Sequence, residues 1–361
     1  MADDHHHACT AAAGNYPVTL PAGVEEALGR ALRFLDGAQL SSGEMPVYAS
    51  TDPTLAEGAE LDPSIFPTAL AAHCLSFCVE AAPVMARAHD FLLGEMNASG
   101  LWKHWTRDHP HAATLPPDLD DTSCSSFVLV QAGRTVPDNR ALLLANRDAR
   151  GRFFTWVVPR PRWTGGRHMR LVLRQLRHLP TLVMFFRLTS AKPYDVDACV
   201  NASTLHYLGR FDGEEKVIAF LLDVLREGRE RQCDKWYENP FVVRYFLSRA
   251  LAGRAPDAGP LIVARTAAEP PSSSLEHALA ACALLDWGGD AGPHIDALLA
   301  AQAPDGSWRR AALYHGGRAR LRSGGFAEPH PDTPRWGSEA ITTAFAAEAL
   351  ARWRARAGEA A

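Results

Sequence analysis

The sequence predicts an all-α fold, an (α/α)6 toroid in which six helix pairs close into a double ring. Two observations carry that expectation. A turn with glutamine, glycine and a large apolar residue at i, i+4 and i+6 recurs along the chain. It is fullest at Gln302, Gly306 and Trp308, and the same slots hold Gln39, Gly43 and Met45, then Met96, Gly100 and Trp102, then Arg147, Gly151 and Phe153. Between these turns, helices with one polar face alternate with helices that are apolar almost all round, the alternation expected of an outer and an inner ring.

The outer helices are expected at 24–35, 84–93, 139–145, 214–225, 261–267 and 294–301, and the inner ones at 66–78, 122–130, 198–208, 240–251, 274–285 and 340–353. Glycine suits the end of each outer helix because the turn there needs a left-handed residue. The aromatic residue two positions on can then fold back and staple one pair to the next. Repeats four and five depart from the pattern, since 229–236 lacks the glycine and 265–274 lacks both glycine and aromatic. The domain reading is a flexible tail over 1–20, then one barrel over 21–361 with a basic insertion at about 153–193.

Composition excludes several classes. The chain has 37 Lys and Arg against 41 Asp and Glu, which gives no global drive toward nucleic acid. Seven scattered cysteines without a Cys-x-x-Cys pair point to reduced thiols and a cytoplasmic protein. Residues 1–14 show no leader-like apolar run, and His5, His6 and His7 read as part of the tail.

Two motifs give the chain a family resemblance. The string from Gln302 to Trp308, Gln-Ala-Pro-Asp-Gly-Ser-Trp, resembles the QW motif of squalene–hopene cyclases and their prenyltransferase-like relatives, over nearly the whole chain. Pro117-Asp118-Leu119-Asp120-Asp121-Thr122-Ser123, where the second inner helix begins, resembles the Asp-x-Asp-Asp-Thr-Ala signature of class II terpene cyclases. The resemblance implies that Asp120 protonates an alkene or epoxide to start a carbocation cascade, with Asp118 and Asp121 in support.

The chemistry is reasonable on its own terms. Protonating a carbon–carbon double bond needs a dry acid, and carboxylates crowded together and buried cannot all ionise, so one keeps its proton near neutral pH. The competing reading is helix capping, for which aspartate is well suited. One cap, however, needs one aspartate.

A second pair, Asp195 and Asp197, precedes the third inner helix. Neighbouring inner helices in a ring would bring the two sets face to face. Such a cluster is expected to serve as an acid site, to hold Mg2+ with a diphosphate substrate, or to act as an acid and base pair in an (α/α)6 glycosidase. Asp197-Ala-Cys199 is also similar to the zinc-binding Asp-x-Cys of protein prenyltransferase β subunits, which would need a histidine such as His277. His206 and His277 are further candidates to hydrogen-bond Asp120. Trp102, Trp105, Trp236, Tyr237, Phe241, Tyr245, Trp308 and Trp336 cluster near turns and inner-helix starts, where a cyclase would use rings to stabilise carbocations; Trp102, Trp236 and Tyr237 are the substrate-binding choices among them.

From Arg152 to Lys192 there are nine Arg or Lys and no acidic residue. Arg170, Arg174, Arg177 and His178 fall at helical spacing opposite Leu171, Val172 and Leu176. The segment is expected to be a lid whose arginines, Arg170 and Arg174 first, meet a diphosphate or an anionic membrane surface through 160–190. Class II cyclases resemble two barrels with the active site between them, so this single barrel would be closed by the lid or by a partner subunit. The favoured function is a class II-type cyclase acting on an isoprenoid; the alternatives are the glycosidase and a non-catalytic scaffold binding lipid or protein. An apolar pocket favours the first, an open polar groove the second and a filled axis the third.

Overall fold

The computed structural model describes residues 23–160, 179–322 and 325–360, with the single positions 166, 169 and 173. Inner helices α2 (Phe66–Leu75), α4 (Leu119–Gln131), α7 (Ala198–Leu208), α9 (Pro240–Leu251), α11 (Ser274–Asp286) and α13 (Glu339–Ala360) each pack on the next, and α13 returns to α2, closing the inner ring. Outer helices α1 (Val24–Ala38), α3 (Ala82–Glu95), α5 (Arg140–Ala145), α8 (Glu214–Glu227), α10 (Ala258–Ala268) and α12 (Gly292–Ala301) surround it. The expected toroid is therefore present. Helix α6 (Leu179–Leu188) lies inside the basic insertion, while Arg170 and Arg174 fall outside the described residues.

The repeated turn has one physical job. Gln302 Nε2 donates to Gly306 O at 3.0 Å and to Ala27 O of α1 at 2.8 Å, joining the last outer helix to the first. Gln39 does the same one repeat on, reaching Gly43 O at 2.9 Å and Val84 O at 3.1 Å. Trp308 and Trp102 are fully buried, and their indoles donate to Leu298 O and Leu92 O, both at 2.8 Å. Trp102, expected at the substrate, is thus a staple between repeats. The reason is its backbone N–H, which Thr122 Oγ1 holds at 3.1 Å and which turns the ring into the core.

Gly306 has φ +92°, and a Cβ there would stand 2.5 Å from Arg30 O. Gly306→Ala is expected to cost about 2–5 kcal/mol, combining left-handed strain with the clash. Thermal melting checks this, and a shift below about 2 °C would remove the close-packing argument.

Four short strands, absent from the sequence expectation, cross one end of the ring: β1 (Tyr48–Ser50), β2 (Glu60–Leu61), β3 (Tyr314–His315) and β4 (Arg335–Gly337), in the antiparallel order β2-β1-β4-β3. Tyr314 pairs with Trp336 across β3 and β4, so both side chains stand on one face and their rings stack at 5.4 Å. Among the described residues no helix is long and apolar enough to cross a membrane.

Candidate active site

Residues at or just before the starts of inner helices line a mainly apolar cavity of about 240 Å³: Phe66 on α2, Asp118, Asp120 and Asp121 on α4, Val200 on α7, Tyr237 before α9 and Trp336 before α13. Further wall comes from Trp105, Trp156, Trp236, Tyr314 and Phe185 of α6. Aromatic rings face one another around it, with Phe66 5.8 Å from Tyr314 and Trp156 5.7 Å from Trp236.

The three aspartates divide their work. Asp118 is the N-cap of α4, its Oδ1 accepting from Asp121 N at 2.8 Å, so the capping role is filled by one residue. Asp120, 8% exposed, has Oδ2 accepting from the Tyr237 hydroxyl at 2.6 Å, while its Oδ1 is buried and makes no hydrogen bond. Asp121 Oδ2 lies 3.8 Å from His104 Nδ1, and Asp121 Oδ1 is likewise unpaired.

Burial dominates the electrostatics. It pushes the Asp120 carboxyl up to about 6 against the opposing pull of the Tyr237 hydrogen bond. Burial takes Asp121 to about 8, and burial with the charge of Asp121 holds Asp118 well above the ordinary carboxylate range. Desolvation drives half-buried His104 below its usual value as well. Asp118 and Asp121 therefore favour the protonated form at neutral pH, and Asp120 does so below about pH 6, among hydrocarbon and aromatic faces. Because Tyr237 occupies Oδ2, a proton held by Asp120 belongs on Oδ1.

Asp195 and Asp197 do not join this cluster. Asp195 forms a buried ion pair with Lys235, Oδ2 to Nζ 2.6 Å, both side chains 1% exposed. Asp197, fully buried, accepts from Thr155 Oγ1 at 2.5 Å and from Lys235 N at 3.0 Å. Both carboxylates are spent fixing the 231–237 loop, so the expected face-to-face cluster is not formed, and the glycosidase reading loses its second carboxylate. The zinc set fails as well. Cys199 is a buried thiol pushed far up by burial, and His277 pairs with His294, Nδ1 to Nδ1 3.1 Å. Among the described residues no group of three or more His, Cys, Asp or Glu could hold a metal ion, so the zinc set does not form. His206 bonds Arg249 O at 3.0 Å and not Asp120; Tyr237 has the place expected of a histidine.

The loop bearing Trp236 and Tyr237 is stitched from the other side by a residue that belongs to no sequence motif. Arg318, 2% exposed, donates to Arg231 O at 2.9 Å, and to Asp234 O and Tyr237 O. Gly317 lets the two loops touch, since a Cβ there would meet the Trp236 ring at 2.9 Å. Phe66, His104, Trp156, Phe185 and Tyr314 were also missed; lone aromatics outside the repeated turn carry no local signal. Phe241 and Tyr245 are core residues, Tyr245 donating to buried Glu348 at 2.9 Å. A larger cleft of about 1010 Å³ adjoins the cavity at Tyr314 and His315, but half of its wall is polar and several of its charges are paired, Arg231 with Glu269 and Arg335 with Glu238.

Tyr237→Phe is expected to raise the Asp120 pKa by about one unit and to lower turnover about tenfold, since the hydroxyl both stabilises the carboxylate and fixes the proton on Oδ1. The pH dependence of kcat/KM checks it: the alkaline limb must move up in the variant, and an unmoved limb would detach Tyr237 from the acid.

No protein-family model matches the chain, and no curated protein does. Among solved structures, a protein from Actinoplanes is similar over 92% of this chain and 99% of its own, at 18% identity and a TM-score of 0.60. A variant of the type II terpene cyclase MstE from Scytonema, bound to its substrate geranylgeranyl dihydroxybenzoate, is similar over 91% of this chain and 97% of its own, at 15% identity and a TM-score of 0.65. Substrate-free MstE is similar over 94% and 99%, at 15% identity and a TM-score of 0.62. At these identities the likeness is one of fold. The Scytonema structures are matched nearly end to end by this one ring, so the two-barrel arrangement is no requirement of the fold.

Proposed function

We propose that this chain is a class II-type terpene cyclase that protonates an isoprenoid chain to start a carbocation cyclisation, with Asp120 as the acid. The observation that carries the reading is a single one: a raised carboxyl, held on one oxygen by Tyr237, with its other oxygen unpaired in an apolar cavity ringed by aromatic faces.

The step balances without a metal. The Asp120 Oδ1–H bond breaks as the π pair of a terminal alkene forms a C–H bond, leaving a tertiary carbocation and the Asp120 carboxylate. Tyr237 donating to Oδ2 stabilises that carboxylate. The rings of Phe66, Tyr314, Trp336 and Trp236 offer their negative faces to the migrating charge, and the apolar wall keeps water from quenching it. Attack of an internal double bond closes a ring, proton loss ends the cascade, and Asp120 regains a proton, so the product is an isomer of the substrate. A cavity of about 240 Å³ is small beside the ~300–1,000 Å³ of most ligand sites, which favours a shorter prenyl chain over squalene.

The test is incubation of the protein and its Asp120→Asn variant with geranyl, farnesyl and geranylgeranyl diphosphates, prenylated aromatic acids and squalene, followed by mass spectrometry. A cyclic product isomeric with its substrate, formed by the wild type and lost in the variant, is expected. Cyclisation undiminished in the variant would remove Asp120 as the acid.

A further inference from the structure

The Asp62 side chain stands apart from the three aspartates of α4 and has partners of its own. Its Oδ2 accepts from two indoles, Trp336 Nε1 at 2.6 Å and Trp105 Nε1 at 3.1 Å. Its Oδ1 meets His109 Nε2 at 3.0 Å. The other nitrogen of that imidazole settles the direction of the bond: Nδ1 accepts from the backbone N–H of His111 at 3.1 Å, so Nε2 has the hydrogen and donates. Asp62 thus receives three side-chain hydrogen bonds and gives none, the pattern of a carboxylate. Among the described residues no Arg or Lys lies within ion-pair distance of it.

Both indoles are walls of the cavity, and Asp62 itself is not. Trp336 stacks on Tyr314 at 5.4 Å, and Trp105 stacks on His109 at 4.7 Å. His104 stands edge-on between them, 5.8 Å from Trp105 and 6.1 Å from Trp336. The carboxylate is therefore set behind a layer of rings on the same side of the cavity as Tyr314. Its field reaches through that layer. After burial, the largest effect at both residues, Asp62 opposes the fall in proton affinity at His104 and adds to the rise at Tyr314.

A carbocation is stabilised by negative charge nearby, yet a bare carboxylate within reach would bond to it or remove its proton. A carboxylate behind aromatic rings meets both demands. An indole that donates its N–H to an anion is polarised toward its ring, and the face of that ring becomes a stronger partner for a cation. We propose that Asp62 is the fixed counter-charge of the carbocation, a positioning residue that acts through Trp105 and Trp336. Its oxygens are occupied by three donors and screened from the cavity by the two rings, so it attracts the migrating charge and forms no bond with it. The role rests on the cyclase reading of Asp120, which starts the cation that Asp62 steadies.

The test uses two probes of similar size: N,N-dimethylgeranylamine, whose tertiary ammonium stands in for the cation, and the uncharged geranyl methyl ether. Calorimetric titration of each into the full chain is run in the Asp120→Asn background, which has no acid charge at that position, with and without Asp62→Asn. Asparagine keeps the shape and an acceptor for the indoles, and near-ultraviolet circular dichroism of the tryptophans checks that they stay in place. Affinity for the ammonium is expected to fall about tenfold on Asp62→Asn, with the ether changed by less than about twofold. Undiminished ammonium binding overturns the proposal, as does an equal loss for both probes, which would mark a merely structural role, or a background protein that binds neither. Trp336→Phe keeps a ring but cuts its bond to Asp62; it is expected to weaken the ammonium alone, about threefold, and answers the question if Asp62→Asn does not fold. In the otherwise native chain Asp62→Asn is expected to lower kcat about tenfold with KM unchanged, and a raised KM at unchanged kcat overturns the role. The titrations need no turnover, so failure of the cyclase reading, seen as no cyclic product from the native chain, is distinguishable from failure of Asp62 as the counter-charge.

Discussion

Asp120→Asn is expected to reduce cyclisation at least about 10³-fold, because the variant keeps the shape and the Tyr237 hydrogen bond but has no proton to give an alkene. The wild type should carry a matching signature. With the carboxyl raised to about 6, kcat/KM falls about tenfold per pH unit above that value as the acid form is depleted. The same substitution is also expected to change stability, with a sign that follows from proton linkage. Between the unfolded value of 3.8 and the folded value of about 6, Asp120 binds more protons in the folded chain. Wild-type stability therefore falls as pH rises through that window, by about 3 kcal/mol when complete, and the loss is absent below about pH 4. In Asp120→Asn this part of the pH dependence disappears. Denaturant unfolding of both proteins at about pH 4 and about pH 8 measures it, and parallel pH slopes would show that burial does not raise this carboxyl.

Lys235→Met is expected to destabilise the fold by about 3–5 kcal/mol, because it leaves the Asp195 carboxylate buried without its cation. What remains is one hydrogen bond from Lys192 N at 2.7 Å. The ammonium also donates to Ser190 O at 2.7 Å, so its loss unties the end of the basic insertion from the 231–237 loop. That loop presents Trp236 and Tyr237 to the cavity, so activity should fall with stability. Replacing both partners, Lys235→Met with Asp195→Leu, removes the buried charge as well as its partner and is expected to regain most of the lost stability. A Lys235→Met variant within about 1 kcal/mol of wild type would mean that the pair is solvated after all.

The ring was legible because its signals are local. A glutamine, a left-handed glycine and an aromatic within seven residues specify one turn, and the polar or apolar surround of each helix specifies which ring it joins. The helix starts were read to within a few residues, α7 and α9 at both ends, and even the divergent repeats four and five formed helices. The short sheet was not legible, since its strands are two or three residues long and Tyr48 pairs with Gly337 far along the chain. The helical spacing read over Arg167 to His178 falls almost wholly outside the described residues, and helix α6 beyond it was not read, because a run that is apolar on every side has no period to follow.

The carboxylate site was legible in part. One aspartate suffices to cap a helix, so a run of three at an inner-helix start carried information about chemistry before any coordinates. The second pair misled: adjacency of helices in a ring does not fix the rotation of the residues that precede them, and Lys235, distant in sequence, neutralises Asp195. Sequence alone determined the double ring and the crowding of three aspartates at an inner-helix start, because helical period, glycine turns and adjacent carboxylates act over a few residues. Only the tertiary structure decided which carboxyls stay unpaired, that Tyr237 is the partner of Asp120, and which rings wall the cavity. Those depend on long-range burial and on loops that meet across the mouth of the ring, and burial is what sets both a carboxyl's proton affinity and the dryness its chemistry requires.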